Sequence, residues 1–291
     1  MRDYIIMTDS CCDLTAAEVS ELGITVLPLS YTLDGVTYPN LPDRSEMAAE
    51  SFFEKIRAGK PCTTAAVNVG QFTGAMREAL EAGKDILCIA FSSTLSTTYQ
   101  SACIAAEDMI AEYPDAKIIV VDSLAASRGQ GMLVWRAVEH RRKTGADIET
   151  LAEFVRENRM GQRHWFMVDD LNHLKRGGRV SALTALAGTA LGIKPVLHVD
   201  ENGGLAVDSK ARGVKGALRA LVDKMEKHAV GEQTTVFICH ADCQDSVDYI
   251  SALLRERFGV TDIRSEYIGP VIGAHTGCGT LGLFFVGDDE R

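Results

Sequence analysis

Three apolar runs in the first half of the chain each stop on a hydroxyl or a carboxylate. Tyr4-Ile5-Ile6-Met7 runs into Thr8-Asp9-Ser10, Ile86-Leu87-Cys88-Ile89-Ala90-Phe91 into Ser92-Ser93, and Ile118-Ile119-Val120-Val121 into Asp122-Ser123. Runs this short and apolar, separated by helical stretches, are the pattern of strands buried on both faces of a parallel sheet. Open sheets of that kind bind ligands just past the carboxyl ends of their strands. The three polar tips are therefore expected to face one crevice.

The segments between the runs fit this reading. Helical spacing covers 13–22, 45–58, 71–82, 98–113, 129–143 and 148–158, several of them closed by a glycine just past the last turn. A second strand is expected over 24–30 and a short one over 36–38, after the Asp34-Gly35 turn. Strand and helix in alternation predict a doubly wound, Rossmann-like α/β domain over residues 1–162. Beyond Gly161 the rhythm changes. Strands over 165–168, 195–199, 205–207, 235–239 and 263–268 mix with helices over 171–175, 183–191, 246–257 and from Val214, and Asn202-Gly203-Gly204 is a hairpin signal. An α+β domain is expected over 163–291.

Composition narrows the function. The chain has 30 Lys and Arg against 40 Asp and Glu, a net charge of −10, which argues against general nucleic-acid binding. Yet His173 to Arg219 contains eight basic residues and three acidic ones, so this stretch is cationic within an acidic protein. Met1-Arg2-Asp3-Tyr4 leads directly into a strand-like run rather than a signal peptide, so a cytoplasmic protein is expected. Cys239-His240-Ala241-Asp242-Cys243 lacks a second Cys/His pair at ligand spacing and reads as buried thiol plus loop rather than a zinc site.

Several constellations carry possible chemistry. Glycines 277, 279 and 282 spell a GxGxxG, but no βαβ unit or ribose-binding acid follows them. They read instead as points of close backbone approach. His275 stands at the start of this tight glycine turn, preceded by apolar residues. Thr63-Thr64 and Ser92-Ser93-Thr94-Leu95-Ser96 supply hydroxyls near helix starts, where the plainest role is capping. Together with one histidine they form a neutral donor cluster suited to a carboxylate or phosphate oxygen. Gly177-Gly178-Arg179 is either a helix C-cap or an arginine offered to an anion. Two other functions use the same residues. One is a serine hydrolase with Ser96 or Ser93, His275 and Asp9 or Asp122, although no GxSxG elbow is present. The other is a phosphate- or nucleotide-binding regulatory domain.

Five blocks in order resemble the DegV family. They are Thr8-Asp9-Ser10-Cys11-Cys12-Asp13-Leu14 (typically TDSTSDL), Ser92-Ser93-Thr94-Leu95-Ser96-Thr97-Thr98-Tyr99-Gln100-Ser101-Ala102 (SSxLSGTYQSA), and Leu174-Lys175-Arg176-Gly177-Gly178-Arg179-Val180-Ser181 (LxKGGRIS). Ile193-Lys194-Pro195 with Ala211-Arg212, and Ala274-His275-Thr276-Gly277-Cys278-Gly279 (AHTGPG), complete them. Around Thr64 the chain reads Thr64-Ala65-Ala66-Val67-Asn68-Val69-Gly70-Gln71-Phe72 where the family has TSQPSPGxF. The resemblance implies a lipid carrier rather than an enzyme, with a long-chain fatty acid as its ligand and no cofactor or metal. It implies an acyl tunnel near the junction of two domains, with the carboxylate held by Thr64, Ser96 and His275. It places Arg179 and Arg212 near the exposed headgroup, where they engage an ATP-dependent fatty acid kinase that makes an acyl phosphate. Transient membrane contact is compatible with that role. Asp9, Ser10, Ser93, Asp122, Ser123, Gly277 and Gly279 are then expected to support the headgroup site rather than touch the ligand.

Overall fold

The computed structural model describes residues 2–179 and 192–289. The chain opens with β1 (Tyr4–Asp9), α1 (Ala16–Leu22) and β2 (Thr25–Leu27). Thr15 caps α1 in a reciprocal box with Glu18, and Gly23 ends it at φ 65°. The strand expected over 24–30 divides at Pro28, which has no N–H to give to a ladder. Its second part becomes β3 (Ser30–Leu33), which pairs antiparallel with β4 (Val36–Pro39) across the Asp34-Gly35 turn. Then follow α2 (Ala49–Arg57), β5 (Cys62–Ala65), α3 (Val69–Glu81), β6 (Asp85–Ala90), α4 (Thr98–Glu112), β7 (Ile118–Asp122), α5 (Ser127–Thr144) and α6 (Ile148–Asn158). The sequence pattern did not mark β5, whose four residues sit between Pro61 and a helix; it completes a small sheet of order β4-β3-β5.

The main N-terminal sheet is parallel throughout, in the order β2-β1-β6-β7. The chain winds from β1 to one edge and returns to β6 to build the other, so the order reverses between β1 and β6. Alternation of side chains across the strands separates two cores. Met7, Ile86, Cys88 and Ala90 meet Phe72 and Met76 of α3 and Ala102, Ala105 and Met109 of α4. Ile6, Leu87, Ile89 and Val121 meet Leu22 of α1, Met132 and Leu133 of α5, and Leu151 and Val155 of α6.

The second half contributes β8 (Gln162–Met167), α7 (Leu171–Arg176), β9 (Ile193–Val199), β10 (Leu205–Arg212), α8 (Gly213–His228), β11 (Thr235–His240), α9 (Gln244–Phe258), β12 (Asp262–Tyr267), α10 (Pro270–Thr276) and β13 (Leu281–Val286). Its sheet has the order β10-β9-β8-β13-β11-β12, antiparallel except for the β11/β12 pair. Val236 and Ile238 on one face join Leu218, Leu221 and Met225 of α8 and Ile250 and Leu254 of α9. Phe237, Cys239 and Phe284 on the other face join the core that α5 shares with the parallel sheet. Helix α5 is thus the common layer between the two sheets. The fold is α/β, a parallel sheet followed by a separate mixed sheet. Val180, Ser181 and the helix expected over 183–191 lie outside the described residues.

Neither α10 nor β13 was expected from the pattern. Helix α10 is short, with Gly269 before it and Pro270 in its first turn, a start signal that the surrounding glycines obscure. It places His275 in a last helical turn rather than at the start of a glycine turn.

Candidate functional site

The topological reversal between β1 and β6 leaves a crevice at their carboxyl ends. A cavity of about 280 Å³ lies there, enclosed by segments of both halves of the chain. The loop after β6 contributes Phe91, Leu95 and Ser96, the end of β5 contributes Thr64, and α10 contributes Val271, Ile272 and His275. The mixed sheet closes the far wall with Phe166, Val199 and Phe284. The lining is mostly apolar; its polar groups include Ser127, His164, Thr276 and Thr280, and at one place a hydroxyl and a histidine are paired.

That place is the Thr64–His275 pair. Thr64 Oγ1 and His275 Nε2 are 2.9 Å apart. His275 Nδ1 is buried without a hydrogen-bond partner among the described residues. Gly177, just past α7, leaves room for it: a Cβ on Gly177 would stand 2.2 Å from Nδ1. Burial, and secondarily the positive charge of Arg179, push the His275 pKa down to about 4. The ring is therefore neutral at pH 7. With its proton on Nε2, His275 donates to Thr64 and leaves Nδ1 as a bare acceptor; the other tautomer would bury an unpaired N–H. Thr64 then keeps its own hydroxyl proton for a ligand oxygen.

Ser96 and Arg179 line the same cavity. Ser96 Oγ lies 2.9 Å from Thr98 Oγ1 and accepts from Thr98 N at 3.2 Å, so it also caps the start of α4. Arg179 donates through Nε to the Leu95 carbonyl at 3.2 Å and through Nη1 to that of Gly177 at 2.7 Å, tying residues 177–179 to the Ser96 loop. Thr64, Ser96, His275 and Arg179 are thus brought together. Arg212 is not: it is exposed at the end of β10, precedes α8 and does not line the cavity.

The polar strand tips stand side by side, as the β1-β6-β7 order requires, but Asp9, Ser10, Ser93, Asp122 and Ser123 do not line the cavity. Asp9 accepts from Cys11 N at 3.0 Å, Phe91 N at 2.7 Å and Gln130 Nε2 at 3.2 Å. Burial pushes its pKa up to about 6 against these bonds. Ser10 Oγ accepts from Leu29 N and Asn40 Nδ2. Asp122 Oδ1 accepts from the N–H groups of Ser93 and Leu124, and Ser123 Oγ accepts from Ala125 N. These groups hold the loops that present Phe91, Leu95 and Ser96. Asp13, not among the expected site residues, accepts from Ser127 Oγ at 2.5 Å and from Gly269 N at 3.1 Å, fixing the start of α10. Its burial pushes the carboxyl pKa up to about 7. Gly277 and Gly279 both have φ 75°; a Cβ on Gly277 would stand 2.6 Å from the His173 ring, and one on Gly279 3.1 Å from Asp169.

The apolar wall was invisible from the sequence, because Phe166, Val199, Val271 and Phe284 look like any core residue until the topology leaves space between them. The triad alternative finds no matching geometry. His275 bonds Thr64 rather than Ser93 or Ser96, and among the described residues no carboxylate accepts from its other nitrogen. Among the described residues, no three His, Cys, Asp or Glu side chains cluster as a metal site, and no helix is long and apolar enough to cross a membrane.

A model of the family described as "Uncharacterised protein, DegV family" matches residues 4–288. The chain belongs to the DegV family. A DegV domain-containing protein of Clostridium perfringens is 42% identical over 292 residues, covering 100% of both chains. Among solved structures, a fatty-acid-binding DegV protein of Thermus thermophilus superposes with a TM-score of 0.87 at 32% identity, covering 99% of this chain and 100% of its own. A DegV lipid-binding protein of Thermotoga maritima does so with a TM-score of 0.86 at 29% identity, again over 99% and 100%. Both of these neighbours are described as binding lipids or fatty acids.

Proposed function

We propose that this DegV protein is a fatty-acid carrier. The acyl chain occupies the apolar cavity, and its carboxylate meets Thr64, Ser96 and His275. The observation that carries this reading is the arrangement of the cavity: an apolar wall drawn from the loops after β2 and β6, from α10 and from the mixed sheet, with Thr64, Ser96 and His275 on its lining. The fatty-acid-binding relative from T. thermophilus supports it.

The energetics assign separate work to the two ends. Each buried methylene contributes about 0.8 kcal/mol, so a long chain supplies on the order of 10 kcal/mol before the costs of association. Each charge-assisted hydrogen bond at the carboxylate adds about 1.5–3 kcal/mol. The chain sets affinity, and the donors set polarity and register. A carboxylate beside His275 raises its pKa from the depressed value. The same reading has the protein present the carboxylate to an ATP-dependent fatty acid kinase and hold the acyl phosphate formed there, with Arg179 and Arg212 facing that partner. It uses no cofactor and assigns no catalytic residue, and it divides the chain near residue 162 into a unit supplying Thr64 and Ser96 and a unit supplying Arg179 and His275.

Native mass spectrometry of delipidated protein titrated with hexadecanoate tests the reading. A saturable one-to-one complex is expected, and its absence contradicts the proposal.

A further inference from the structure

The cavity that would take the acyl chain is not apolar throughout. Ser127, His164, Thr276 and Thr280 line it, and each is more than nine-tenths buried. None of them takes part in the Thr64–His275 bond. A hydrocarbon gains nothing from such groups, because a buried polar atom facing methylenes forfeits the bonds it makes to water.

The hydroxyl protons are already spent. Ser127 donates to Asp13 Oδ2 at 2.5 Å, Thr276 to the Ile272 carbonyl at 3.2 Å and Thr280 to the Thr276 carbonyl at 3.0 Å. A hydroxyl has one proton and two lone pairs, so what these three have left for a ligand is acceptor capacity. Such a wall selects by hydrogen count. A hydroxyl on the chain brings the missing proton. A ketone of nearly the same size brings only more lone pairs, and a methylene brings neither.

Ser127 is the best fixed of the three. Its φ of 53° lies in the left-handed region, which a non-glycine residue keeps only where its surroundings impose it. Asp13 imposes it here, and the same carboxylate accepts from Gly269 N at 3.1 Å, so the Ser127 hydroxyl is pinned beside the start of α10. His164 on β8 packs edge-on to Phe284 and lies against the first turn of α5, where a Cβ on Gly129 would stand 2.2 Å from its ring.

The helix also sets a distance. His275 follows Gly269 by six residues along α10, which at 1.5 Å per residue is about 9 Å. An extended chain advances about 1.2 Å per bond. A carboxylate at the Thr64–His275 pair therefore brings the carbon about eight bonds away level with Ser127, near the middle of an eighteen-carbon chain.

We propose that the cavity is built for an acyl chain carrying a hydroxyl near its middle, with that hydroxyl donating to Ser127 Oγ. This deepens the acyl reading above and rests on it.

Calorimetric titration of delipidated protein with octadecanoate, 10-hydroxyoctadecanoate and 10-oxooctadecanoate tests it. The titrations are run at pH 8, above the value of about 7 to which burial raises the Asp13 pKa, so that its carboxylate holds the Ser127 proton. The hydroxy acid is expected to bind about tenfold more tightly than the oxo acid, the effect of one buried hydrogen bond made or left unmade. Ser127→Ala is expected to bring the two within about twofold. Moving the hydroxyl examines the same geometry on the native chain alone: 3-hydroxy- and 17-hydroxyoctadecanoate are expected to bind several-fold more weakly than the 10-hydroxy isomer. Octadecanoate that binds while the 10-hydroxy and 10-oxo acids bind equally, or while the three hydroxyl isomers bind equally, overturns this proposal and leaves the acyl reading standing. Failure of all the acids to bind removes both.

Discussion

Two cavities meet at the Thr64–His275 hydrogen bond, and they differ in almost every other respect. The one bounded by Phe166, Val271 and Phe284 is built from buried core positions of the mixed sheet and α10. The one bounded by Lys60, His173 and Arg176 is built from short connections around α7 and β5. The first obtains its lining from the same hydrophobic patterning that folds the protein, so it needs no special residues except its polar ones. The second depends on a few side chains that packing does not require. A substitution in the first therefore risks stability and chain binding together, whereas one in the second leaves the fold largely alone and acts through charge.

The largest expected separation comes from filling the apolar side. Ala66 lines that cavity just past β5. Ala66→Trp displaces the equivalent of three or four methylenes, so dodecanoate affinity is expected to fall by roughly 100-fold, at about 0.8 kcal/mol each. Calorimetry on the variant checks this, and an unchanged affinity would place the chain outside the apolar cavity.

Removing the shared hydrogen bond comes next. His275→Ala deletes the partner of Thr64 and is expected to weaken fatty-acid binding by roughly 10- to 100-fold, the range for one charge-assisted bond. Displacement of a fluorescent fatty acid measures it.

The same histidine gives a pH signature. Its pKa falls from 6.5 to about 4 on folding. The unfolded chain therefore takes up this proton first, and the contribution of the neutral ring is complete above about pH 7 and lost as pH falls toward 4. Relative to His275→Asn, the unliganded native protein should lose on the order of 2 kcal/mol between pH 7 and 4.5, read from urea unfolding. The raised carboxyls of Asp9 and Asp13 act in the opposite direction, but they are common to both proteins and cancel. An identical pH profile for the two chains would remove the buried neutral ring from the account.

The smallest effect is steric. Gly177 has an ordinary helical φ of −71°, so Gly177→Ala strains no backbone, yet its Cβ would press on His275 Nδ1. A loss of several-fold in carboxylate affinity, with dodecanol binding unchanged, is expected for a ring displaced by about 1 Å.

Much of this arrangement was legible in the residues. The parallel sheet followed from Ile6, Leu87 and Val121 sitting in continuous apolar runs, and the crevice followed from where those runs end. Thr64, Ser96 and His275 were picked out by the DegV blocks rather than by spacing, and the structure places them on one cavity. The strand division at Pro28 was missed because its apolar run continues through the break. Strand β5 and helix α10 were missed because four and seven residues are too few for a period to register. The paired cavities could not be read at all. A void is a property of how side chains from distant segments fail to meet, and Phe166 and Lys60 carry no mark of it in sequence.

The central claim is that an acyl chain fills the apolar cavity with its carboxylate at the Thr64–His275 pair. Crystals grown with 16-bromohexadecanoate locate the chain end by anomalous scattering. The account predicts bromine within the apolar lining, away from Thr64, and carboxylate oxygens within hydrogen-bond distance of Thr64 and Ser96. Bromine beside the Thr64–His275 pair, or on the protein surface, would contradict it.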